Sequence, residues 1–267
     1  MSFNTTIRQS AIADSFLQTL LAGQRAEARQ IIEDCENCGI STVELLTKLV
    51  WPVMEQIQTI YKNDSINRVA LNLATRLNRS IADQLSAKLE KKPKNGKKAL
   101  IVCGDDEPEE LGGQIAADLF EADGYEVRFA GGGVPNDEIL TMIGDYRPNL
   151  LVLFATRAPG IPHVRKLIDY LREVNSCPDM QIMCCGGIYK RAQGLAEEIG
   201  ADLYAPDAAE AVAFAKQQEG RRASVEQQTV GRSRRIRKAA QRRNTTAVTS
   251  AVSTAVRLDP TTPAKAA

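Results

Sequence analysis

The sequence predicts a flavodoxin-like α/β fold, a doubly wound parallel sheet, preceded by a four-helix bundle. Between residues 98 and 217, short apolar segments alternate with amphipathic segments of helical length. This alternation is typical of βαβ units with right-handed crossovers. Residues 5–92 show no strand pattern, only apolar residues at helical spacing. The 267-residue chain is therefore divided into a bundle at 1–95, an α/β domain at 96–217 and a tail at 218–267.

Five apolar segments are predicted to form the strands of the sheet. The third is the most apolar, as expected of a central strand that is buried on both faces. The predicted strands are residues 98–103, 125–130, 150–155, 181–185 and 202–204. The predicted helices of this domain are residues 114–122, 136–146, 163–174, 189–199 and 208–216.

The bundle is predicted from apolar stripes at helical spacing. Its clearest helix start is Ser41-Thr-Val-Glu44, which has the pattern of a capping box. The four helices are expected at about residues 12–21, 26–35, 42–60 and 66–89.

The segment after the first predicted strand is strongly acidic. Five carboxylates lie between Asp105 and Glu110, with no Lys or Arg among them. We interpret residues 105–113 as a loop that leads into a helix. The carboxyl end of the first strand is where sheets of this class bind ligands. The negative charge of the loop argues against a phosphate ligand.

The order of these motifs resembles that of the cobalamin (vitamin B12)-binding domain family. The resemblance rests on Gly104-Asp105 after the first strand, the helix end Glu121-Ala-Asp-Gly-Tyr125, Gly186-Gly187, and Ile199-Gly-Ala-Asp202. That family includes methionine synthase, corrinoid methyltransferase carriers and light-sensing transcription regulators. The resemblance covers most of residues 5–217, and it implies that the bundle caps the upper face of a corrin ring.

The resemblance also implies a set of cofactor-binding residues. The family's loop signature is Asp-x-His-x-x-Gly, in which the His is the lower cobalt ligand. Glu107 falls at the Asp position, Glu109 at the His position and Gly112 at the Gly position. The departure at Glu109 matters, because a carboxylate suits Mg, Ca or Mn whereas imidazole suits transition metals. We therefore expect cobalamin to bind base-on, with its own benzimidazole retained, and we expect no metal ligand from the protein.

Two further regions carry candidate residues by the same resemblance. The family's Ser-x-Leu on the third strand falls on Phe154-Ala155-Thr156. The nucleotide tail of the cofactor is expected to pass between this strand and the pair Gly186-Gly187, where the absent side chains would leave room. In the bundle, Tyr61 stands at a family Trp, whereas Leu71 and Asn72 replace a Glu-His pair that the light-sensing branch carries. Adenosylcobalamin photochemistry is therefore not expected.

Other candidate sites are weak. His163, the only histidine, is interpreted as a surface or first-turn residue beside the cleft, and a haem or tetrapyrrole ligand is the lesser alternative. Cys35 and Cys38 lack the second ligand pair that a zinc site needs. No nucleophile stands beside a base, so we predict no enzymatic activity.

The tail and the overall composition limit the possible partners and the localisation of the protein. Residues 218–267 are rich in Arg, Thr, Ala and Ser, which predicts a disordered basic tail. Such a tail could contact nucleic acid weakly by charge alone. Because there is no signal peptide or membrane-length apolar run and the cysteines suit reducing conditions, we expect a cytoplasmic protein.

The sequence as a whole predicts a non-enzymatic cobalamin-binding protein that acts as a sensor or regulatory module through an unidentified protein partner. One alternative is a corrinoid carrier for a methyltransferase. The others are a haem or tetrapyrrole sensor and a protein-interaction module without a ligand.

Overall fold

The computed structural model describes residues 2–175 and 177–224, with side chains from residue 10 onward. The N-terminal part is helical, as predicted. Its helices are α1 (Ser2–Leu21), α2 (Arg25–Asn37), α3 (Thr42–Glu44), α4 (Trp51–Lys62) and α5 (Arg68–Ser86). A π-helix, Leu45–Val50, joins α3 to α4, so the predicted third helix is a single helical segment with a wider turn inside it.

Local sequence features account for the structure of the helical segment from α3 to α4. The predicted capping box is present, with the Ser41 hydroxyl accepting from the Glu44 backbone N–H. Pro52, in the first turn of α4, has no N–H to donate to the preceding turn, which favours the change in hydrogen-bond pattern there. Asn78 of α5 then donates its side-chain amide to the carbonyl of Val50 across 2.9 Å. This bond ties the end of the π-helix to α5.

The α/β part contains one parallel sheet with strand order β2-β1-β3-β4-β5. This order is the flavodoxin-like order and confirms the predicted fold class. All residues of β3 are buried, as expected of the central strand. The strands are β1 (Lys98–Cys103), β2 (Glu126–Gly131), β3 (Leu150–Phe154), β4 (Gln181–Cys185) and β5 (Leu203–Ala205).

Helices cover both faces of the sheet. The bundle, α6 and α11 share one apolar core with one face, and α7 and α8 pack against the other. Cys184 and Cys185 project into opposite cores. The helices are α6 (Glu107–Ala122), α7 (Asn136–Tyr146), α8 (Ile161–Val174), α9 (Gly187–Arg191), α10 (Leu195–Glu198) and α11 (Ala208–Gln217), with a 3-10 turn at Ala158–Gly160.

The acidic segment after β1 has a different structure from the one that its sequence predicted. Most of the predicted loop at 105–113 is helical, because α6 begins at Glu107 rather than at residue 114. The sequence favours this start on physical grounds. Pro108 suits a first turn, and the acidic side chains of that turn interact favourably with the positive end of the helix dipole.

The packed part of the chain also extends beyond the predicted boundary at residue 217. Gln181 donates its side-chain amide to the carbonyl of Arg221 across 3.0 Å, and the Ala223 N–H donates to Asp202 across 2.7 Å. Ala223 itself is buried. The predictions of disorder and nucleic-acid contact concern mainly residues 225–267, which lie outside the described residues. In the part of the chain that the structure describes, no helix is both long and apolar enough to cross a bilayer.

Candidate functional site

The candidate site lies at the edge of the sheet where β1, β3 and β4 end. The start of α6 and the Trp51 end of α4 meet the same edge. The structure brings together most of the predicted cofactor-binding residues there, namely Glu109, Gly112, Phe154, Thr156, Gly186 and Gly187.

Glu109, at the position of the family's histidine, is turned into the protein. One carboxylate oxygen accepts hydrogen bonds from the Thr156 N–H at 2.6 Å, the Thr156 hydroxyl at 3.1 Å and the Arg157 N–H at 2.9 Å. The other oxygen lies over Gly104, where an added Cβ would be only 1.7 Å away. Glu109 is 4% exposed. Hydrogen bonds from backbone N–H groups to a carboxylate are strong, so Glu109 anchors the end of β3.

The neighbouring carboxylates are also engaged within the protein. Glu107 and Glu110 form ion pairs with Arg79 of α5, at 2.8 and 3.4 Å. Asp106 pairs with Arg157. The acidic segment therefore ties the start of α6 to the cap and to the end of β3. Among the described residues, no group of three or more His, Cys, Asp or Glu side chains could hold a metal ion.

Trp51 is a site residue that the sequence analysis missed. Its indole N–H donates to the carbonyl of Pro108 across 3.0 Å, and its ring meets Phe154 edge to face with centroids 5.9 Å apart. Gly112 lies against both rings, since an added Cβ would be 2.3 Å from Phe154 and 2.7 Å from Trp51. The remaining cavity here is about 10 Å³. A sequence signal existed, because Trp51 is the only tryptophan in the chain.

The glycine pair after β4 does not leave the room that the sequence analysis expected. Gly186 has a φ of 112° and packs so closely on β3 that an added Cβ would be 2.4 Å from the carbonyl oxygen of Ala155. At Gly187 an added Cβ would be 2.9 Å from the Arg191 guanidinium, which donates to the carbonyl of Thr156. The missing side chains permit close approach of the chain itself, so this part of the prediction is wrong.

Two predicted residues lie at the periphery. Glu107 is exposed and faces Arg79 rather than the sheet edge. Tyr61 lies near the far end of α4, about 15 Å along the helix axis from Trp51.

The larger space at this edge is on the opposite face of the sheet, between β1, β3, α7 and α8. It is a cavity of about 440 Å³ with a mainly apolar wall, and Asp105, Glu109 and His163 contribute polar groups to its lining. His163 is exposed and lines this cavity, so it does face a cleft. Burial and the nearby Glu110 and Glu109 raise the pKa of the Cys103 thiol to about 12. Cys103 is therefore protonated at neutral pH and is a poor nucleophile.

Comparison with known proteins identifies the class of the α/β domain. Residues 97–213 match the family model described as the B12 binding domain. Dimethylamine corrinoid protein 1 of Methanosarcina acetivorans is 30% identical over 125 residues, which cover 46% of this chain and 58% of that protein. The chain thus spans less than two thirds of that relative.

The similarity to other relatives includes the helical part. Monomethylamine corrinoid protein 1 of the same organism is 23% identical over 210 residues, covering 76% of this chain and 95% of that protein. The solved structure of the Methanosarcina barkeri monomethylamine corrinoid protein has a TM-score of 0.65 at 21% identity, covering 78% of this chain and 99% of that chain. This likeness supports the fold of both parts.

These findings confirm the predicted family and agree with a corrinoid as the cofactor. They favour the carrier alternative over the regulatory interpretation, because the relatives are named as corrinoid proteins. Glu109 is already satisfied by Thr156 and Arg157, so the segment supplies no lower cobalt ligand.

Proposed function

We propose that this protein is a corrinoid carrier, which holds a corrinoid and presents it to a partner methyltransferase without catalysing the transfer itself. The observation that supports the proposal most directly is the match of residues 97–213 to the B12 binding domain. The packing of a helical cap onto the ligand-binding edge of that domain adds to it.

A bound corrinoid would supply a cobalt centre that accepts a methyl group and gives it up again. The chain's own residues would bind and orient this group at the sheet edge, between the start of α6, the end of β3 and the cap. Because the Glu109 carboxylate accepts hydrogen bonds from Thr156 and Arg157, this segment would supply no ligand to the cobalt of a bound corrinoid. We therefore propose base-on binding with micromolar or weaker affinity, since no protein–cobalt bond contributes.

The side chains at this edge are suited to binding rather than to catalysis. The Cys103 thiol is held protonated by its raised pKa of about 12. The carboxylates of Glu107 and Glu110 are both ion-paired with Arg79. A carrier needs no acid–base pair of its own, because its partner activates the methyl donor and acceptor.

Equilibrium dialysis of the full chain against hydroxocobalamin or haemin, with the bound ligand quantified by visible absorption, tests the ligand. We expect saturable binding of hydroxocobalamin only. Saturable haemin binding without cobalamin binding would instead support a tetrapyrrole sensor, and no binding of either ligand would support an interaction module. In the reduced cob(II)alamin complex, electron paramagnetic resonance should show splitting from the benzimidazole nitrogen that is unaffected by nitrogen-isotope labelling of the protein.

A second measurement separates a carrier from a regulator. A carrier must let a methyl donor reach the upper face of cobalt, which the cap would cover at rest. The bound cob(I)alamin form should therefore be methylated by methyl iodide, but more slowly than the free cofactor. A bound form that resists methylation would contradict the carrier proposal.

A further inference from the structure

We propose that the cavity of about 440 Å³ between β1, β3, α7 and α8 is a second binding site, which takes a small organic ammonium ion with an apolar body. The cavity lies on the face of the sheet opposite to α6 and the cap. Its occupancy does not depend on the proposed carrier function, and no corrinoid is needed to test it.

The cavity lies at the place in this fold where ligands are expected. The chain leaves β1 toward α6 on one face of the sheet, and it leaves β3 toward α8 on the other face. In flavodoxin-like sheets, the crevice between two such neighbouring strands is where ligands bind. The volume of about 440 Å³ also falls in the range of about 300–1,000 Å³ that small-molecule sites have. A small molecule therefore has room at this edge of the sheet.

The inner wall of the cavity is apolar. It is formed by aliphatic side chains from both strands and both helices, namely Val102, Leu153, Ile139, Val164 and Leu167. A ligand body without polar groups can lie against these side chains, and moving it there from water is favourable. The wall therefore selects for an apolar body.

One buried carboxylate oxygen at this wall is unused. Glu109 is 4% exposed, and the hydrogen bonds that it accepts from Thr156 and Arg157 all go to Oε1. Among the described residues, no donor reaches Oε2, which lies over Gly104 in the lining of the cavity. A buried carboxylate oxygen without a partner is unfavourable, and a charged N–H donor of a ligand would form a strong hydrogen bond with it.

The other charges around the cavity also favour a cation. Asp105 contributes a second carboxylate, and none of the described residues that line the cavity is Lys or Arg. The starts of α7 and α8 border the cavity and oppose this preference with about half a positive charge each. The first turn of α7 carries Asp137 and Glu138, which offset its share. Two carboxylate charges therefore outweigh the helix end that remains.

An ammonium group matches this set of acceptors. It has three N–H donors, and the lining offers Glu109 Oε2, the Asp105 carboxylate and the His163 imidazole as acceptors. The described residues contain no group of three or more His, Cys, Asp or Glu side chains that could hold a metal ion. The ligand class is therefore an amine that is protonated at neutral pH and carries an apolar body.

Three indoles with the same body and different charges test this ligand class. At neutral pH tryptamine is a cation, tryptophol is neutral and indole-3-propionate is an anion. Each is titrated into the full chain by isothermal titration calorimetry. We expect a tryptamine dissociation constant below about 10 mM, with tryptophol about tenfold weaker and indole-3-propionate weaker still. Equal affinities for the three indoles, or no saturable binding of tryptamine, would overturn the proposal.

A substitution at Glu109 tests the location of the ammonium group. Glu109→Gln can keep its amide oxygen on the N–H groups of Thr156 and Arg157, which places an NH₂ donor where Oε2 lies. Tryptamine should then bind about tenfold more weakly, whereas the affinity for tryptophol should stay within about twofold. Glu107→Gln is the matched control, because Glu107 pairs with Arg79 and does not line the cavity. The control should bind tryptamine like the wild type. An unchanged tryptamine affinity in Glu109→Gln would show that Oε2 is not the acceptor.

Val164→Phe tests the cavity without changing a charge. Val164 lines the cavity and is half-buried, so a larger ring there should take up ligand space and weaken tryptamine and tryptophol binding alike, by about tenfold. Thermal melting followed by circular dichroism shows whether each variant is folded. If Glu109→Gln does not fold, Val164→Phe and the order of the three indoles in the wild type decide. Undiminished binding by folded Val164→Phe would place the ligand elsewhere and overturn the proposal.

Discussion

The backbone N–H of Thr156 donates to the carboxylate of Glu109 across 2.6 Å, and this bond sets the direction in which the acidic segment faces. The Arg157 N–H donates to the same oxygen. Glu109, which stands at the position of the family's cobalt ligand, therefore holds the end of β3 instead. The same contact explains why the chain can keep the family's scaffold without the family's ligand.

Replacing Glu109 by Ala should destabilise the fold. The change leaves the N–H groups of Thr156 and Arg157 without their acceptor, at a cost of about 1–3 kcal/mol in unfolding free energy. Urea denaturation followed by circular dichroism measures this loss. Glu107→Ala is the control, and it should cost less than about 1 kcal/mol because its ion pair with Arg79 is exposed. Equal effects of the two substitutions would contradict the anchoring role of Glu109.

Glu109→His should trade stability for cofactor affinity. An imidazole cannot accept all the hydrogen bonds that the carboxylate accepts, so the start of α6 is released from β3. The side chain can then ligate cobalt, and cobalamin should bind about tenfold more tightly than to the wild type. The nitrogen splitting of bound cob(II)alamin should now respond to isotope labelling of the protein. A splitting that does not change with isotope labelling of the protein would show that residue 109 does not reach the metal.

The C-terminal packing can be tested with two truncations. A chain that ends at residue 224 keeps the hydrogen bonds of Arg221 and Ala223 and should melt like the full chain. A chain that ends at residue 220 loses both bonds and should lose about 1–3 kcal/mol of unfolding free energy. Differential scanning calorimetry of the two proteins provides the comparison. Identical melting temperatures would show that residues 221–223 contribute nothing to the fold.

The stability of the protein should fall in acid in a way that depends on Asp123. Burial raises the pKa of this carboxyl, but hydrogen bonds from Lys216 and Lys92 outweigh burial and hold the pKa below its ordinary value. A carboxyl with a lower pKa in the folded state stabilises the fold above its unfolded pKa, about 4, and this contribution disappears as the pH falls through the folded value.

Asp123→Asn should therefore cost about 1 kcal/mol at neutral pH, and the difference from the wild type should shrink as the pH falls below about 4. Urea unfolding between neutral pH and about pH 3 follows this decrease. In a Lys216→Met protein, the further substitution Asp123→Asn should cost less at neutral pH than it does in the wild type, because one of the two cations that pair with Asp123 is missing. A difference between wild type and Asp123→Asn that does not change with pH would contradict the assignment.

The fold could be predicted because its signals are local. Strand β3 is a short apolar run between polar segments, and Ser41 with Glu44 is a local capping pattern. The start of α6 was misplaced because a run of carboxylates suggests a solvated loop, although Pro108 and the acidic first turn favour a helix start.

The site was only partly predictable because its closure depends on contacts that are distant in sequence. Trp51 contacts Pro108 across 57 positions, and no spacing rule connects them. The space at Gly186 and Gly187 was misjudged for a related reason. A glycine in sequence indicates that a side chain is absent, but only the fold shows whether a ligand, Arg191 or the backbone of β3 uses the space.

The shared apolar core has a consequence for cooperativity. Val50 and Met54 of the cap belong to the same buried cluster as Leu111 and Ile115 of α6, so the bundle and the sheet bury part of their apolar surface against each other. The two parts should unfold in one transition rather than two. Any opening of the cap to admit a corrin ring is then a displacement of an intact bundle, and its free-energy cost is set by the apolar area exposed rather than by the loss of helix.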